Sequence, residues 1–257
     1  MPIDSRAIID PSAQLADDVE VGPWTIIGPD VVIGEGCKIA SHVVIKGPTV
    51  MGRNNHVFQF STLGEDTPDL KYAGEPTRLE IGDNNVFREG VTVHRGTVQD
   101  TGVTIIGSSN LLMAYVHVGH DSVVGSHCIF ANNAALAGHV KIGDYANISG
   151  YTLIHQFCTI GAYAFTGMGT AISMDVPAYV LVAGNPVAAK SVNVVGLKRR
   201  NFDKDDISAI NAAFKTLYRR GLTLEQALAE LERLSQECTA INLLIDSLRS
   251  SNRGIVR

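Results

Sequence analysis

The chain has 257 residues, of which 45% are hydrophobic and 18% charged, the balance of a folded globular protein. Its formal net charge of −5 excludes a general nucleic-acid surface, because neutralising phosphates requires a basic field. There is neither a run of about eighteen apolar residues nor a basic-then-apolar start, so we expect a cytoplasmic protein with no stable membrane insertion.

From residue 9 onward, an apolar side chain recurs at every sixth position. The repeat runs from Ile9 to Leu63, returns from Ile81 to Val93 and, shifted by one residue, continues from Ile106 to Ile172 with Thr166 as its exception. Glycine often follows the repeated residue, where a tight corner benefits from relaxed backbone limits. One hexad cannot bury its own side chain. Three hexads per coil, stacked at about 4.8 Å, therefore predict a β-solenoid of about ten coils.

Small residues stand two positions before each repeated apolar residue. Three of the four cysteines, Cys37, Cys128 and Cys158, occupy this position, and no C-x-x-C pair occurs. These cysteines are therefore predicted to be small buried hydrophobic residues, and neither a disulfide framework nor a zinc knuckle is indicated.

Two polar segments, 67–78 and 97–103, interrupt the repeat. Insertions in a solenoid project from one face and often have a function. The repeat ends near Pro186, after which apolar spacings of three and four residues and acidic helix starts predict helices. We therefore expect a β-solenoid over 1–186 with two inserted loops, 67–78 and 97–103, and a small C-terminal α-helical domain over 187–257.

A group of histidines lies in the second half of the predicted solenoid. Residues 18 apart are stacked in such a fold, so His120, His139 and His155 come close to one column, with His117 beside it. An imidazole titrates near neutrality and accepts a proton from a hydroxyl, but such a column is also compatible with a metal site.

Asp121 directly follows His120, and an adjacent carboxylate can orient an imidazole. The chain has no G-x-S-x-G motif, so histidine acting as base on the substrate's own hydroxyl is simpler than a serine nucleophile. The backbone N–H of Gly138 can stabilise an oxyanion, since glycine permits close approach.

Several strings resemble one family over the whole chain, namely DLKYAGEPTR (69–78), HRGTVQ (94–99), NLLMAYVHVGHD (110–121), LAGHV (136–140), HQF (155–157), DVPAYV (175–180) and GLKRR (196–200). They are similar to the acyl-ACP:UDP-N-acetylglucosamine O-acyltransferases of lipid A biosynthesis. The resemblance implies a left-handed parallel β-helix of hexapeptide repeats and a homotrimer with active sites between neighbouring solenoids. It further implies transfer of an (R)-3-hydroxyacyl group from acyl carrier protein to the 3-hydroxyl of UDP-N-acetylglucosamine, with no metal or diffusible cofactor.

The resemblance also implies roles for individual residues. His120 is expected to be the general base, Asp121 its orienting partner and Gly138 the oxyanion donor. The residues expected to contact substrate are Asp69, Lys71, His117, His139, His155 and Gln156, with Asn193 and Arg199 at the nucleotide end. A loop cation such as Lys71 suits a diphosphate or the acyl donor.

The sequence departs from the family pattern at two positions. Val195 stands where an acidic residue is common, which puts one ribose contact in question. Met168 stands where some members have glycine at the end of the acyl groove, and it is expected to act as an acyl-chain ruler that selects a donor of about ten carbons, since each buried methylene contributes roughly 0.8 kcal/mol.

Basic residues at 198–200, with Arg219 and Arg220, form a predicted docking patch for the acidic carrier protein, although they also suit helix C-termini. Two alternatives remain open from the residues. One is a zinc-dependent γ-class carbonic anhydrase, which is another trimeric hexapeptide solenoid. The other is a docking scaffold without chemistry, which would not call for His120, Asp121 and Gly138 together.

Overall fold

The structure is a computed structural model and describes residues 3–257. Its short strands form three sheets, one on each side of a triangular solenoid. The first sheet contains β1 (Ile8–Ile9), β4 (Ile26–Ile27), β7 (Val44–Ile45), β10 (Thr62–Glu65), β13 (Thr92–His94), β16 (His117–Val118), β19 (Ala135–Leu136), β22 (Leu153–Ile154) and β25 (Ala171–Ile172).

The second sheet contains β2 (Gln14–Leu15), β5 (Val31–Ile33), β8 (Thr49–Met51), β11 (Arg78–Ile81), β14 (Val103–Ile106), β17 (Val123–Val124), β20 (Lys141–Ile142) and β23 (Thr159–Ile160). The third contains β3 (Glu20–Val21), β6 (Lys38–Ile39), β9 (His56–Val57), β12 (Val86–Phe87), β15 (Leu111–Leu112), β18 (Ile129–Phe130), β21 (Asn147–Ile148), β24 (Phe165–Thr166), β26 (Val180–Ala183) and β27 (Ala188–Val192). Since β27 is antiparallel to β26, no sheet has more than nine parallel strands, compared with the ten coils predicted.

The hexad sets the register of every sheet. Ile9 pairs with Ile27, and Val118 pairs with Leu136, in each case 18 residues and one coil apart. Ile27 is 1% exposed, and Val118 and Leu136 are fully buried. Burying a side chain of this size stabilises the fold by roughly 1.5–3 kcal/mol. The repeated residues therefore form the continuous core that the sequence predicts, and Cys37, Cys128 and Cys158 are buried within it.

Buried asparagines satisfy the backbone at one interior corner. The Asn55 carboxamide oxygen accepts from the backbone N–H of Asn85 at 2.9 Å, and that of Asn85 accepts from the N–H of Asn110 at 2.9 Å. Their amide nitrogens donate to backbone carbonyls of the next coil. Each corner is thus tied to the next, and the side-chain amides of all three asparagines are paired.

Both insertions leave the solenoid at the same corner, between the first and second sheets. Residues 66–77 connect β10 to β11, and residues 95–102 connect β13 to β14. Asp121 and His139 occupy this corner in the next two coils, with φ of 58° and 60°. The corner therefore presents both loops and the histidines on one edge of the molecule.

The chain ends in helices α1 (Val194–Arg199), α2 (Lys204–Arg219), α3 (Leu224–Ser235) and α4 (Ile241–Arg249). Asp203 caps α2, and Thr223 with Gln226 forms a capping box at α3. The division at residues 186 and 187 stays a prediction, and β27 follows it while still belonging to the third sheet. Among residues 3–257, none of the helices combines the length and apolar character needed to span a bilayer.

Candidate active site

His120 and Asp121 form a hydrogen-bonded pair at the corner between the first and second sheets. The His120 Nδ1 lies 2.8 Å from the Asp121 Oδ2, and the Asp121 side chain is fully buried. The side chain of His120 is 13% exposed, so one edge of its ring reaches the surface. The solenoid places the two groups together because they are consecutive residues at one turn.

The second insertion completes the hydrogen bonding of Asp121. Thr97 donates its backbone N–H to Oδ1 at 2.8 Å and its hydroxyl to Oδ2 at 2.7 Å. Burial opposes ionisation, but the hydrogen bonds from His120 and Thr97 outweigh it and hold the pKa of the Asp121 carboxyl below its ordinary value. An ionised carboxylate only accepts hydrogen bonds, so the His120 Nδ1 donates. The His120 Nε2 is then the basic nitrogen that faces outward.

Gly138 lies against the basic edge of the His120 ring. A Cβ at this position would be 2.5 Å from both Cε1 and Nε2 of His120, which is too close for a methyl group. Any larger residue would therefore displace the ring. Among the described residues, the Gly138 N–H donates no backbone hydrogen bond. A donor thus remains free beside the basic nitrogen, as an oxyanion site requires.

His139 is fixed by contacts on several sides. Its Nδ1 lies 2.8 Å from Oδ2 of Asp100, and its Nε2 lies 3.9 Å from Oδ2 of Asp121. Its ring stacks on Phe157 at a centroid distance of 4.5 Å and meets the His120 ring edge-on at 5.0 Å. His139 therefore belongs to the same polar cluster as the His120–Asp121 pair.

The three histidines predicted to share one column lie in three neighbouring columns. The 18-residue register places His120 in line with Gly138 and Gln156, His139 in line with Asp121 and Phe157, and His155 in line with Ala137. His155 is exposed, and its Nδ1 lies 3.1 Å from the Gln156 carbonyl. The structure thus brings His120 and His139 into contact and leaves His155 and Gln156 one coil away, at the rim.

His117 lies on the first sheet below this cluster. Its Nδ1 is 2.8 Å from the Thr92 hydroxyl, and its ring meets that of His94 edge-on at 5.1 Å. Burial, with the nearby His94 and His120, lowers the pKa of His117 to about 4. Burial also lowers the pKa of His94. Both rings are neutral at pH 7.

Asp69 and Lys71 lie on the first insertion. The Asp69 carboxylate accepts from the backbone N–H of Lys71 at 2.9 Å, which closes a tight turn. The ammonium of Lys71 is exposed and forms no ion pair within residues 3–257. Leu70 between them is fully exposed. The turn therefore presents a free cation at the edge where His120 lies.

Asn193 and Arg199 line a separate cavity of about 760 Å³ beside the third sheet. Tyr145 and Tyr163 stack on one side of it at 4.8 Å, and the Arg200 guanidinium lies 4.8 Å from the Tyr145 ring. The Asn193 side chain accepts from the Gly196 N–H and donates to the Tyr163 carbonyl, so it both caps α1 and forms the cavity wall. Within one chain, this cavity and the His120 cluster lie at different corners.

Comparison with known proteins identifies the family. A family model of UDP-N-acetylglucosamine O-acyltransferase domain 2 matches residues 175–256, and a model of bacterial transferase hexapeptide repeats matches 12–47 and 104–138. The acyl-[acyl-carrier-protein]–UDP-N-acetylglucosamine O-acyltransferases of Saccharophagus degradans and Stutzerimonas stutzeri are 67% and 63% identical, each over 99% of both chains. A crystal structure of UDP-N-acetylglucosamine O-acyltransferase from Moraxella catarrhalis is 47% identical over both full chains, with a TM-score of 0.99.

The chain belongs to the UDP-N-acetylglucosamine O-acyltransferase family. It is thus an acyltransferase whose hexapeptide repeats form a left-handed parallel β-helix, as predicted. The general rule for parallel crossovers favours the opposite hand, so the handedness followed from resemblance and not from the repeat.

Donor atoms of His120, Asp121 and His139 in this acyltransferase lie within 4.8 Å of one another and could hold a metal ion. The Asp121 oxygens already accept from Thr97 and His120, however, so a metal would have to replace existing hydrogen bonds. The geometry therefore fits a hydrogen-bonded acid–base pair with less rearrangement than a metal centre.

Four polar residues that contact the predicted site residues were not identified from the sequence: Thr92, His94, Thr97 and Asp100. Thr97 and Asp100 belong to the second insertion, whose interruption of the repeat was the available signal. Thr92 and His94 lie on β13, directly before that insertion. Thr92 and His94 lie one coil before His117, but the insertion between them makes that coil longer than 18 residues, so simple 18-residue spacing does not predict these contacts.

Because His117 and His94 are buried as neutral rings, we expect the stability of the fold to fall in acid. Unfolded histidine titrates near pH 6.5, whereas folded His117 resists protonation until about pH 4. Below pH 6.5 the unfolded chain therefore binds more protons, and the free energy of unfolding falls by on the order of 3 kcal/mol by pH 4. Denaturation midpoints at pH 7, 5.5 and 4.5 measure this fall. His117→Gln should flatten it, whereas His56→Gln, at the same hexad position on the third sheet, should not. Equal slopes in all three proteins would contradict the assignment.

Proposed function

We propose that this acyltransferase moves an (R)-3-hydroxyacyl chain from acyl carrier protein to the 3-hydroxyl of UDP-N-acetylglucosamine, the first step of lipid A biosynthesis. His120 is the general base, and no covalent enzyme intermediate forms. The observation that carries the proposal is the His120–Asp121 pair at 2.8 Å with Gly138 against its basic edge. The 67% identical relative named for this substrate pair supports it.

The position of the basic His120 nitrogen determines how the acyl group is transferred. The His120 Nε2 takes the proton of the sugar hydroxyl as that oxygen attacks the thioester carbonyl, and the new C–O bond forms while the carbonyl π electrons move to oxygen. Gly138 N–H donates to the resulting oxyanion. When the oxyanion collapses, the C–S bond breaks and the thiolate leaves with the proton from His120. Ionised Asp121 stabilises the imidazolium in between.

The remaining predicted residues surround this centre as substrate contacts. His139 lies against His120, and His117 lies on β16, three residues before His120 in the same coil, as a neutral ring with Nε2 available for a hydroxyl. Lys71 supplies the charge that a diphosphate needs, with Asp69 holding its turn. His155 and Gln156 are exposed at the upper rim, where they can meet the donor arm or the sugar.

A homotrimer joins the two separate parts of the site. The exposed face of the first sheet and its border with the third sheet are apolar, with Ile8 63%, Trp24 55%, Phe60 66% and Leu153 57% exposed. Such a surface is suited to burial against neighbouring copies. We infer that packing there brings the cavity with Asn193 and Arg199 of one copy toward His120 of the next, with the nucleotide in the cavity. Because Val195 lines that cavity, 62% exposed, it removes an acidic ribose contact.

The carrier protein is expected to dock on the basic residues of the helical region, in the cytoplasm. Lys198 and Arg199 are exposed at the end of α1, and Arg219 at the end of α2. Arg220 instead lies 3.6 Å from Glu230, and Arg200 lies over Tyr145. Arg219 also lies over the Phe214 ring and donates to the Lys190 carbonyl at 3.4 Å. The exposed residues Lys198 and Arg199 therefore offer most of the charge that an acidic partner requires, and all five basic residues also favour the helix C-termini.

Met168 is expected to limit the donor to about ten carbons. It is 80% exposed at the corner between the third and first sheets, on the face proposed to bind neighbours and the acyl chain. Met168→Gly should shift the best donor from ten toward fourteen carbons, since each additional buried methylene contributes roughly 0.8 kcal/mol. Turnover of 3-hydroxyacyl-ACPs of graded length measures the shift, with Met174→Gly, outside that corner, as control. A wild-type preference for fourteen carbons would refute the ruler.

A pair of incubations tests the activity itself. Purified protein is mixed with 3-hydroxyacyl-ACPs and either UDP-N-acetylglucosamine or its 3-amino analogue, and product masses are read. A monoacylated sugar nucleotide that an ester-cleaving base returns to starting material supports the proposal. A base-stable amide product from a 3-amino acceptor, with no ester formed, would assign a different acceptor. Stoichiometric zinc together with CO₂ hydration would instead support the carbonic anhydrase alternative.

A further inference from the structure

Arg95 is an enclosed cation at the base of both insertions. It directly follows His94 in the string HRGTVQ, and its side chain is only 7% exposed. None of the roles described above uses it. A buried guanidinium is costly unless its N–H groups are paired, so its partners indicate what it holds in place.

The two ends of the guanidinium bind two different parts of the molecule. Its Nη1 donates to the carbonyls of Gly47 at 3.0 Å and Gly64 at 2.7 Å, which belong to the solenoid. Its Nη2 donates to the Tyr72 hydroxyl at 2.9 Å and forms an ion pair with the Asp66 carboxylate, both on the first insertion. The planar fork thus joins the loop to the rigid coil beneath it.

Tyr72 passes this anchoring on to the tip of the loop. Its hydroxyl donates to the Glu75 carbonyl at 3.1 Å, and its backbone N–H donates to the Asp69 carbonyl at 3.0 Å. Asp69 in turn accepts from the N–H of Lys71 at 2.9 Å. Two hydrogen-bonded steps therefore separate Arg95 from the turn that presents the free Lys71 ammonium.

We propose that Arg95 is a positioning residue that holds Lys71 in its substrate-binding place by locking residues 66–77 onto the solenoid. The inference rests on the proposed function, in which Lys71 meets the anionic substrate. A loop bound only by its own turns would sample many positions, and ordering a charged side chain at binding would weaken affinity. Arg95 removes that cost before the substrate arrives.

The test releases the loop without disturbing the coil. Asp66→Ala with Tyr72→Phe removes both loop-side partners and leaves the Arg95 bonds to Gly47 and Gly64. We expect kcat/KM for acyl transfer to fall at least tenfold, through KM, and trypsin cleavage after Lys71 to become about tenfold faster. Asp17→Ala with Tyr218→Phe makes the same chemical changes at an exposed corner and at a buried hydroxyl without a partner, and should change neither quantity.

A double-mutant comparison separates positioning from general structure. In a Lys71→Ala background, loop release should change kcat/KM less than twofold, because its target is already gone. A further tenfold loss in that background would overturn the role through Lys71, as would faster cleavage with unchanged turnover.

Cleavage needs no turnover, so it tests the anchor separately from the activity. A wild-type cleavage rate in the loop-release variant would overturn the role of Arg95 in holding the loop. Faster cleavage in a protein that transfers no acyl group would support the anchor while refuting the proposed function.

Discussion

Replacing His120 by alanine is expected to lower kcat/KM for acyl transfer by about 10³-fold, within the range that a positioned general base contributes. The loss should fall on kcat, because the proton moves only as the hydroxyl attacks. Asp121 would remain buried and bonded to Thr97, so the corner should keep its shape. Steady-state rates with UDP-N-acetylglucosamine and the preferred acyl-ACP measure the effect.

The control is His56→Ala, on β9 of the third sheet, outside the interface proposed between copies and with no carboxylate bonded to its ring. It should keep kcat within about twofold. Equal thermal midpoints and equal oligomer size for the two variants would show that the loss is chemical. A fully active His120→Ala protein would show that His120 is not the base and would leave His117 and His139 as the candidates.

The repeat predicted the fold because its six-residue period indicates which side chains point inward. Leu63, Val118 and Leu136 are fully buried, as the hexad requires. Three hexads make one coil, so the repeat also predicts that Val118 pairs with Leu136, 18 residues later. The number of coils was less secure, because β26 and β27 replace the hexad by a longer antiparallel pair after residue 179.

The contacts of the candidate site were predictable only between residues that are adjacent in the sequence. His120 and Asp121 are consecutive, so their contact follows from one turn. Thr97 reaches Asp121 across 24 residues, and Asp100 reaches His139 across 39, through an insertion that has no repeat to fix its path. Hydrogen-bond partners on such loops depend on a conformation that six-residue periodicity does not encode.

The 18-residue spacing between stacked residues was also too coarse to predict which histidines are in contact. A difference of one residue moves a side chain into the neighbouring column, so His139 faces Asp100 and Phe157 while Gly138 lies against His120. The sequence could name Gly138 as a donor by resemblance. It could not show that the imidazole itself needs the absence of a side chain there.

Gly138→Ala is expected to lower kcat/KM by about 100-fold while leaving the fold intact. The added Cβ would lie 2.5 Å from the His120 Nε2, so the ring must move by about 1 Å, a displacement that can cost about 100-fold in rate. Alanine keeps the backbone N–H, and Gly138 does not have a positive φ, so neither a lost oxyanion donor nor backbone strain explains the loss.

Gly28→Ala provides the matched control, because its Cβ would meet its nearest atom, the Ile45 carbonyl oxygen, at an ordinary 3.4 Å. Both substitutions restrict the unfolded chain equally. Gly28→Ala should leave thermal stability equal or slightly raised, whereas Gly138→Ala should lower it by the cost of displacing the His120 ring. A kcat/KM for Gly138→Ala within threefold of wild type would mean that the imidazole has room to move without loss. The close approach of Gly138 would then have no part in holding the base, and the basic nitrogen would have to be positioned by Asp121 alone.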